Sequence, residues 1–347
     1  MGCAMFLYRM LSAYSDDGGA GKAALSVLIY DFCAFVSELP LGLFIDRTTV
    51  FPRNSKNING LLASAGCMII ALIDIAAAFS AIPSSLFIPA AIVMGLANAA
   101  FHSGAGIDII NLSDRKTALS GIFISTGAVG LFLGTNAGRT GCSYPGAAGI
   151  ALILMSLSLL WLYMHDTHLI PHSDNTEIKT GYGYLLAAVF LLFLVIFYRS
   201  FLGFASKYSW RSGFMLGLAA VTAVFFGKFF GGMAADRFGW KKTIVSSLLL
   251  CSAAAVFSDS SPVAGCIVLF LFNMTMPVAM MGLANLLPKW KGVAFGLNTA
   301  ALFLGFVSYH MTAIPVTGII TSPLILLSAV ILLTALHIAP EMEGKWD

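Results

Sequence analysis

Six ionisable side chains stand inside apolar runs: Arg9, Asp31, Glu38, Asp74, His102 and Lys228. A charge in hydrocarbon is costly unless it faces a cavity or a partner, so each is a candidate for chemistry by position alone. Two of them occupy matching places. Glu38 lies eight residues before Asp46 and Lys228 eight before Asp236, which puts each about 12 Å inside its helix end at 1.5 Å per residue. The two copies are 190 residues apart, so an acid and a base hold equivalent positions in a repeated pattern. A desolvated carboxyl can be tuned to bind and release a proton near neutrality, and Glu38 or Asp31 could be that group. A structural acid hydrogen-bonded to its neighbours is the alternative for Glu38, and is the reading adopted for Asp74.

Asp31 is seven residues from Glu38, two helical turns away on nearly the same face. His102 lies twelve residues before Asp114, about 18 Å from its helix end, where it could titrate, hydrogen-bond a solute, or bond a backbone carbonyl as a core histidine. Arg9 and Lys228 are fixed positive groups that, with His102, would suit an anionic or zwitterionic small molecule, or would neutralise Asp31 and Glu38. In "FNMTMPVAMMGLANLLP", Asn273, Thr275 and Met276 precede the helix-breaking Pro277, giving a candidate cavity wall.

The elements that must position these groups follow from hydropathy. The 347-residue chain is 59% hydrophobic, 12% aromatic and only 10% charged, with a mean hydropathy of +0.90, more apolar than a soluble core requires. It is read as an all-α polytopic membrane protein embedded in a lipid bilayer. Twelve apolar runs can be marked at about 1–15, 21–46, 59–82, 85–111, 116–138, 145–164, 181–203, 211–235, 242–258, 262–286, 292–315 and 318–339. The first is short for a span, so either the start lies upstream or that helix is incomplete. No small-residue cleavage site precedes "SDDGG", which argues against a cleaved signal.

Lysine and arginine bias the loops. With both termini cytoplasmic, the inner segments hold Arg47, Arg53, Lys56, Arg115, Lys116, Lys179, Arg237, Lys241, Lys242, Lys289, Lys291 and Lys345; the outer ones hold Lys22, Arg139, Arg199, Lys207 and Arg211. The hydrophilic stretch at 165–180 divides the chain into an N-terminal bundle of six helices, 1–164, and a C-terminal one, 181–347. A parallel repeat supports this division: "LGLFIDRT" and "GGMAADRFGWKK" share Gly42, Asp46 and Arg47 with Gly232, Asp236 and Arg237, and "KTALSG" is echoed by "KGVAFG" 175 residues on.

The second copy resembles the cytoplasmic signature of the major facilitator superfamily, G-x-x-x-D-R-x-G-x-K-K, here Gly232, Asp236, Arg237, Gly239, Lys241 and Lys242. The helix 2 copy keeps Gly42, Asp46 and Arg47 and then departs into "TTVFPRNSKN". The glycine-rich "MGLANAAFHSGAGIDIINLSD", with its Phe-His pair, is similar to helix 4 of fosmidomycin-resistance-type exporters. The resemblance implies two six-helix bundles, a central cavity lined by helices 1, 4, 7 and 10, and secondary transport of a small solute by alternating access, with proton coupling as a further expectation. It also implies a cell (inner) membrane location. A monomer, no cofactor and no nucleic-acid partner are expected. The alternative is a receptor or an intramembrane enzyme built on the same bundle.

Physics gives the motif two roles. Asp236 sits where its helix meets water and can pair with a basic side chain or with the N-terminal dipole of a neighbouring helix, forming a latch, while Gly232 and Gly239 permit close approach and a tight turn. Alternatively, Arg237, Lys241 and Lys242 simply hold the loop inside. Gly127, Gly130, Gly134 and Gly138 in helix 5 form a further stripe expected to pack closely. His165, His168 and His172 are read as part of a solvated linker rather than a metal site, the six cysteines as small hydrophobes, and no phosphate loop or dinucleotide fingerprint appears.

Overall fold

The computed structural model describes residues 3, 7, 20–50, 58–79, 82–139, 145–165 and 179–343. The helices are α1 Ala20–Asp31, α2 Glu38–Val50, α3 Ile58–Ala78, α4 Phe87–Leu112, α5 Ala118–Arg139, α6 Pro145–His165, α7 Tyr182–Ala205, α8 Gly213–Phe238, α9 Trp240–Ala255, α10 Pro262–Asn273, α11 Met276–Leu286, α12 Lys291–Thr312 and α13 Gly318–Ile338. Backbone groups in hydrocarbon have no water to bond, so apolar chain of this kind becomes helix. Nine segments among the described residues are long and apolar enough to cross a membrane, α1 with α2 and α10 with α11 each counting as one. Bulky apolar side chains such as Phe190, Leu250 and Ile319 point outward, the surface lipid requires. The chain is a multi-pass membrane protein. Of the expected first run only residues 3 and 7 are described, and Arg9 lies outside the described residues.

Two spans are interrupted. A π-helical turn, Phe32–Val36, separates α1 from α2, and α10 gives way to α11 at Met274 and Thr275, where Pro277 sits in the first turn of the new helix. Proline cannot donate to the preceding turn, so the break falls where the sequence placed it.

The chain divides into two compact units, one of residues 1–108 with 130–171 and one of residues 109–129 with 172–347. Within the first, α3 packs along α6, where Ser64 and Ser156 exchange hydrogen bonds to each other's carbonyls, both 2.9 Å. Within the second, α7 packs on α12 and α13, α8 on α10, and α9 on α13. There Ser252 and Ser322 make a like pair, hydroxyl to hydroxyl at 2.9 Å. A serine pair thus joins two apolar helices in each unit, in keeping with the internal repeat.

Candidate functional site

The first unit gathers the buried acids. Glu38 opens α2 and is 1% exposed, Asp74 in α3 is 3% exposed, and Asp31 ends α1 half-buried. Asp108 on α4 accepts a hydrogen bond from Asn59 Nδ2 at 2.7 Å. His102 is half-buried on α4 with its ring edge-on to Phe101. The π turn alters one expectation: it accommodates about one residue more than regular helix, so Asp31 and Glu38 are offset by roughly a quarter turn from the shared face that their spacing predicts.

The second unit gathers cations. Arg199, expected in an outer loop, lies instead inside α7 and is 7% exposed. Its guanidinium donates to Thr275 Oγ1 and to the Phe272 carbonyl, and stacks 4.0 Å above the Phe272 ring. Phe272 O belongs to the last turn of α10, where carbonyls lose their intrahelical donors and a cation meets the negative end of the helix dipole. Arg199 therefore pins the break. Lys228 is partly buried in α8, with Nζ 3.4 Å from the Ile124 carbonyl, and is close enough to Arg199 for the two charges to interact. Asn273 donates to Leu269 O at 2.7 Å in its own helix, and Thr275 is fully buried.

Charge is thus segregated. Away from helix ends, the described spans of the first unit carry carboxylates and no lysine or arginine; those of the second carry Arg199 and Lys228 and no carboxylate.

The motif turn is built from backbone geometry. Asp236, near the end of α8, accepts hydrogen bonds from Thr117 N at 2.7 Å and Ala118 N at 2.8 Å, and from the Thr117 hydroxyl. A carboxylate thereby caps the N-terminus of α5, satisfying donors that have no intrahelical partner. Gly232 makes the approach possible, because a Cβ there would stand 2.5 Å from Thr117 O. Gly239, at φ +88°, both ends α8 and starts α9 in a conformation that L side chains rarely adopt. Arg237, Lys241 and Lys242 are exposed around it. In the first copy Gly42 and Asp46 are buried and Arg47 is exposed. Of the expected glycine stripe, Gly127 does not pack closely: a Cβ there would meet nothing, whereas one on Gly121 would stand 2.7 Å from Lys228 O. The face of α5 that meets α8 carries Gly121 instead.

Just before Asp236's partners, Asp114 and Arg115 adopt positive φ, 45° and 66°. Left-handed backbone costs about 1–2 kcal/mol per residue, less for aspartate than for arginine.

Among the described residues no group of three His, Cys, Asp or Glu could hold a metal, and the five described cysteines are free.

Comparison with solved structures finds this fold in a membrane transporter. A crystal structure of the E. coli fucose:proton symporter superposes with a TM-score of 0.59 at 13% identity, covering 96% of this chain and 97% of that one. A structure of the same transporter in the outward conformation gives 0.61 at 15% identity, with the same coverage. Among curated proteins, a probable chloroplastic anion transporter of Oryza sativa subsp. japonica is 30% identical over 138 residues. That match takes in 35% of this chain, and the chain spans about a quarter (26%) of the length of that relative. No family model matches the chain.

Proposed function

We propose that the chain is a secondary active transporter that carries a small anionic or zwitterionic solute by alternating access and couples its movement to protons. The segregation of charge carries this reading: carboxylates suited to proton exchange lie in one unit, and a cation pair suited to an anion lies in the other. The fold it shares with a fucose:proton symporter and its partial likeness to an anion transporter support it. Glu38, with Asp31 and His102 nearby in sequence or depth, is the proton-handling group; Lys228, with Arg9 and Asn273, holds the solute, and Arg199 joins them. The chain is organised as six-helix halves, 1–164 and 181–347, linked by 165–180. It resides as a monomer in the inner membrane with both termini cytoplasmic. Asp236 is the latch of the second half and Asp46 its counterpart in the first; each must let go for the halves to rock.

The test is flux in proteoliposomes across a panel of small anions, zwitterions and neutral sugars, with and without a pH gradient. Anion accumulation driven by the gradient is expected. Glu38→Gln should abolish gradient-driven accumulation while sparing exchange, and Lys228→Gln should abolish both. Binding without flux would identify a receptor, product formation an enzyme, and either would overturn the proposal. Full proton-driven flux by Glu38→Gln would remove Glu38 from the coupling role.

A further inference from the structure

The turn between α4 and α5 is strained and is held from far away in the chain. A backbone kept in a sparsely populated region persists only where its surroundings over-determine it, and such residues gather at switches. Here the surroundings are Asn285 and one short segment. Asn285, 4% exposed on α11, which is buried from Pro277 onward, donates through Nδ2 to the Arg115 carbonyl at 3.3 Å and to the Met342 carbonyl at 2.8 Å. The Arg115 guanidinium donates to the Glu341 carbonyl. A buried amide and an arginine therefore tie the strained turn to the 3-10 turn Pro340–Met342.

That segment reaches two further places. Glu343 Oε1 accepts the Trp240 N–H at 2.7 Å, capping α9 directly after the Gly239 turn. Glu341 Oε2 accepts the Thr180 hydroxyl ahead of α7. Ala339 and Met342, at 0% exposure, seat it. The segment thus engages both turns that Asp236 joins, the α4–α5 turn through Arg115 and the α8–α9 turn through Trp240.

We infer that residues 340–343 are a bolt: they hold the α4–α5 turn in its strained form and the α8–α9 turn beside it, and must withdraw before α5 can leave Asp236. With the bolt out, Arg115 relaxes to negative φ and carries Thr117 and Ala118 with it. The bolt's role in transport rests on the alternating-access reading; its existence does not.

The experiment is hydrogen exchange on the full chain in lipid nanodiscs. Asn285→Ala is expected to speed exchange about tenfold or more at 116–120 and at 240–243 together. Glu343→Gln, which leaves the core untouched, should speed 240–243 by about threefold or more. Position 115 separates strain from mere contact. Arg115→Ala keeps the left-handed strain and loses the guanidinium bond, so 116–120 should exchange about tenfold faster than in the wild type; Arg115→Gly loses the same bond but relieves the strain, and should stay within about threefold of the wild type. In a relaxed turn alanine would hold as well as glycine or better. The bolt is overturned if Asn285→Ala alters exchange only at 340–343, or if the glycine variant exchanges as fast as the alanine one. If Asn285→Ala does not fold, Glu343→Gln and the position 115 pair decide the matter alone. Flux is measured separately on the same variants: exchange as expected without solute movement in the wild type would refute the transporter reading and leave the bolt standing.

Discussion

Replacing Asp236 with asparagine tests the latch most directly. Asparagine keeps one acceptor oxygen, but it turns the other oxygen into an NH2 that faces the Ala118 N–H, so two donors meet where a charged bond of 2.8 Å stood. Losing a hydrogen bond to a charged group costs about 1.5–3 kcal/mol. Removing the negative charge from the N-terminus of α5 adds about 0.3–1 kcal/mol. Asp236 is only partly buried, so the sum is taken at about 2–3 kcal/mol. At 1.36 kcal/mol per tenfold, that is about a 30- to 150-fold gain in the open population of the contact. Hydrogen exchange at 117–121 should accelerate by that factor while exchange in α13 stays put. Asp236→Glu, with a longer reach, should recover part of the loss. A change below about threefold at those amides would show that the carboxylate does not hold α5, and would leave only the topogenic role of the basic turn.

Gly232→Ala should cost about 1–3 kcal/mol and speed exchange at Thr117, since the new methyl would stand 2.5 Å from a backbone carbonyl rather than a movable side chain; an unchanged unfolding temperature would show that the helices can slide apart freely. Arg199→Met should destabilise by about 2–4 kcal/mol in detergent unfolding, because the Phe272 carbonyl loses its charged donor and keeps only the Thr275 hydroxyl at 3.4 Å, and Arg199→Lys should recover less than half, since an ammonium cannot fork between Thr275 and Phe272. The hydrogen bond from Thr180 lowers the Glu341 carboxyl below its ordinary value of 4.5, so this contact stabilises the fold above that value and fades as pH falls through the lower folded-state value. Thr180→Ala should accordingly unfold earlier than the wild type at pH 7, with the difference closing only on strong acidification. A gap unaffected by pH would assign the effect to packing.

The sequence carried what depends on neighbours along the chain. Gly239 announced its tight turn and Pro277 its break, because both act through their own backbone. The pattern offered Asp236 either a basic side chain or a helix N-terminus, and only the fold shows that it caps α5. Arg199 was misplaced because an arginine six residues from a helix end can snorkel outward or fold inward, and only the orphaned Phe272 carbonyl decides. The π turn left no periodic signal in an apolar run. Gly121 and Gly127 look alike in sequence; which of them touches α8 depends on the rotation of α5. The bolt was illegible for a simpler reason, since Asn285, Arg115 and Glu341 meet only in three dimensions.

The capping of α5 also sets an order of events during synthesis. Asp236 follows Thr117 by 119 residues, so at about 5–20 residues per second the start of α5 waits about 6–24 s for its carboxylate. The partner of Arg115 at Glu341 is 226 residues away, about 11–45 s later. The left-handed turn therefore cannot settle when α4 and α5 enter the membrane; it is finished by residues made 226 positions later. A ribosome-bound chain stalled before Asn285 should carry a loose α4–α5 turn inside otherwise inserted helices, and that turn is where a chaperone or protease would distinguish an unfinished chain from a finished one.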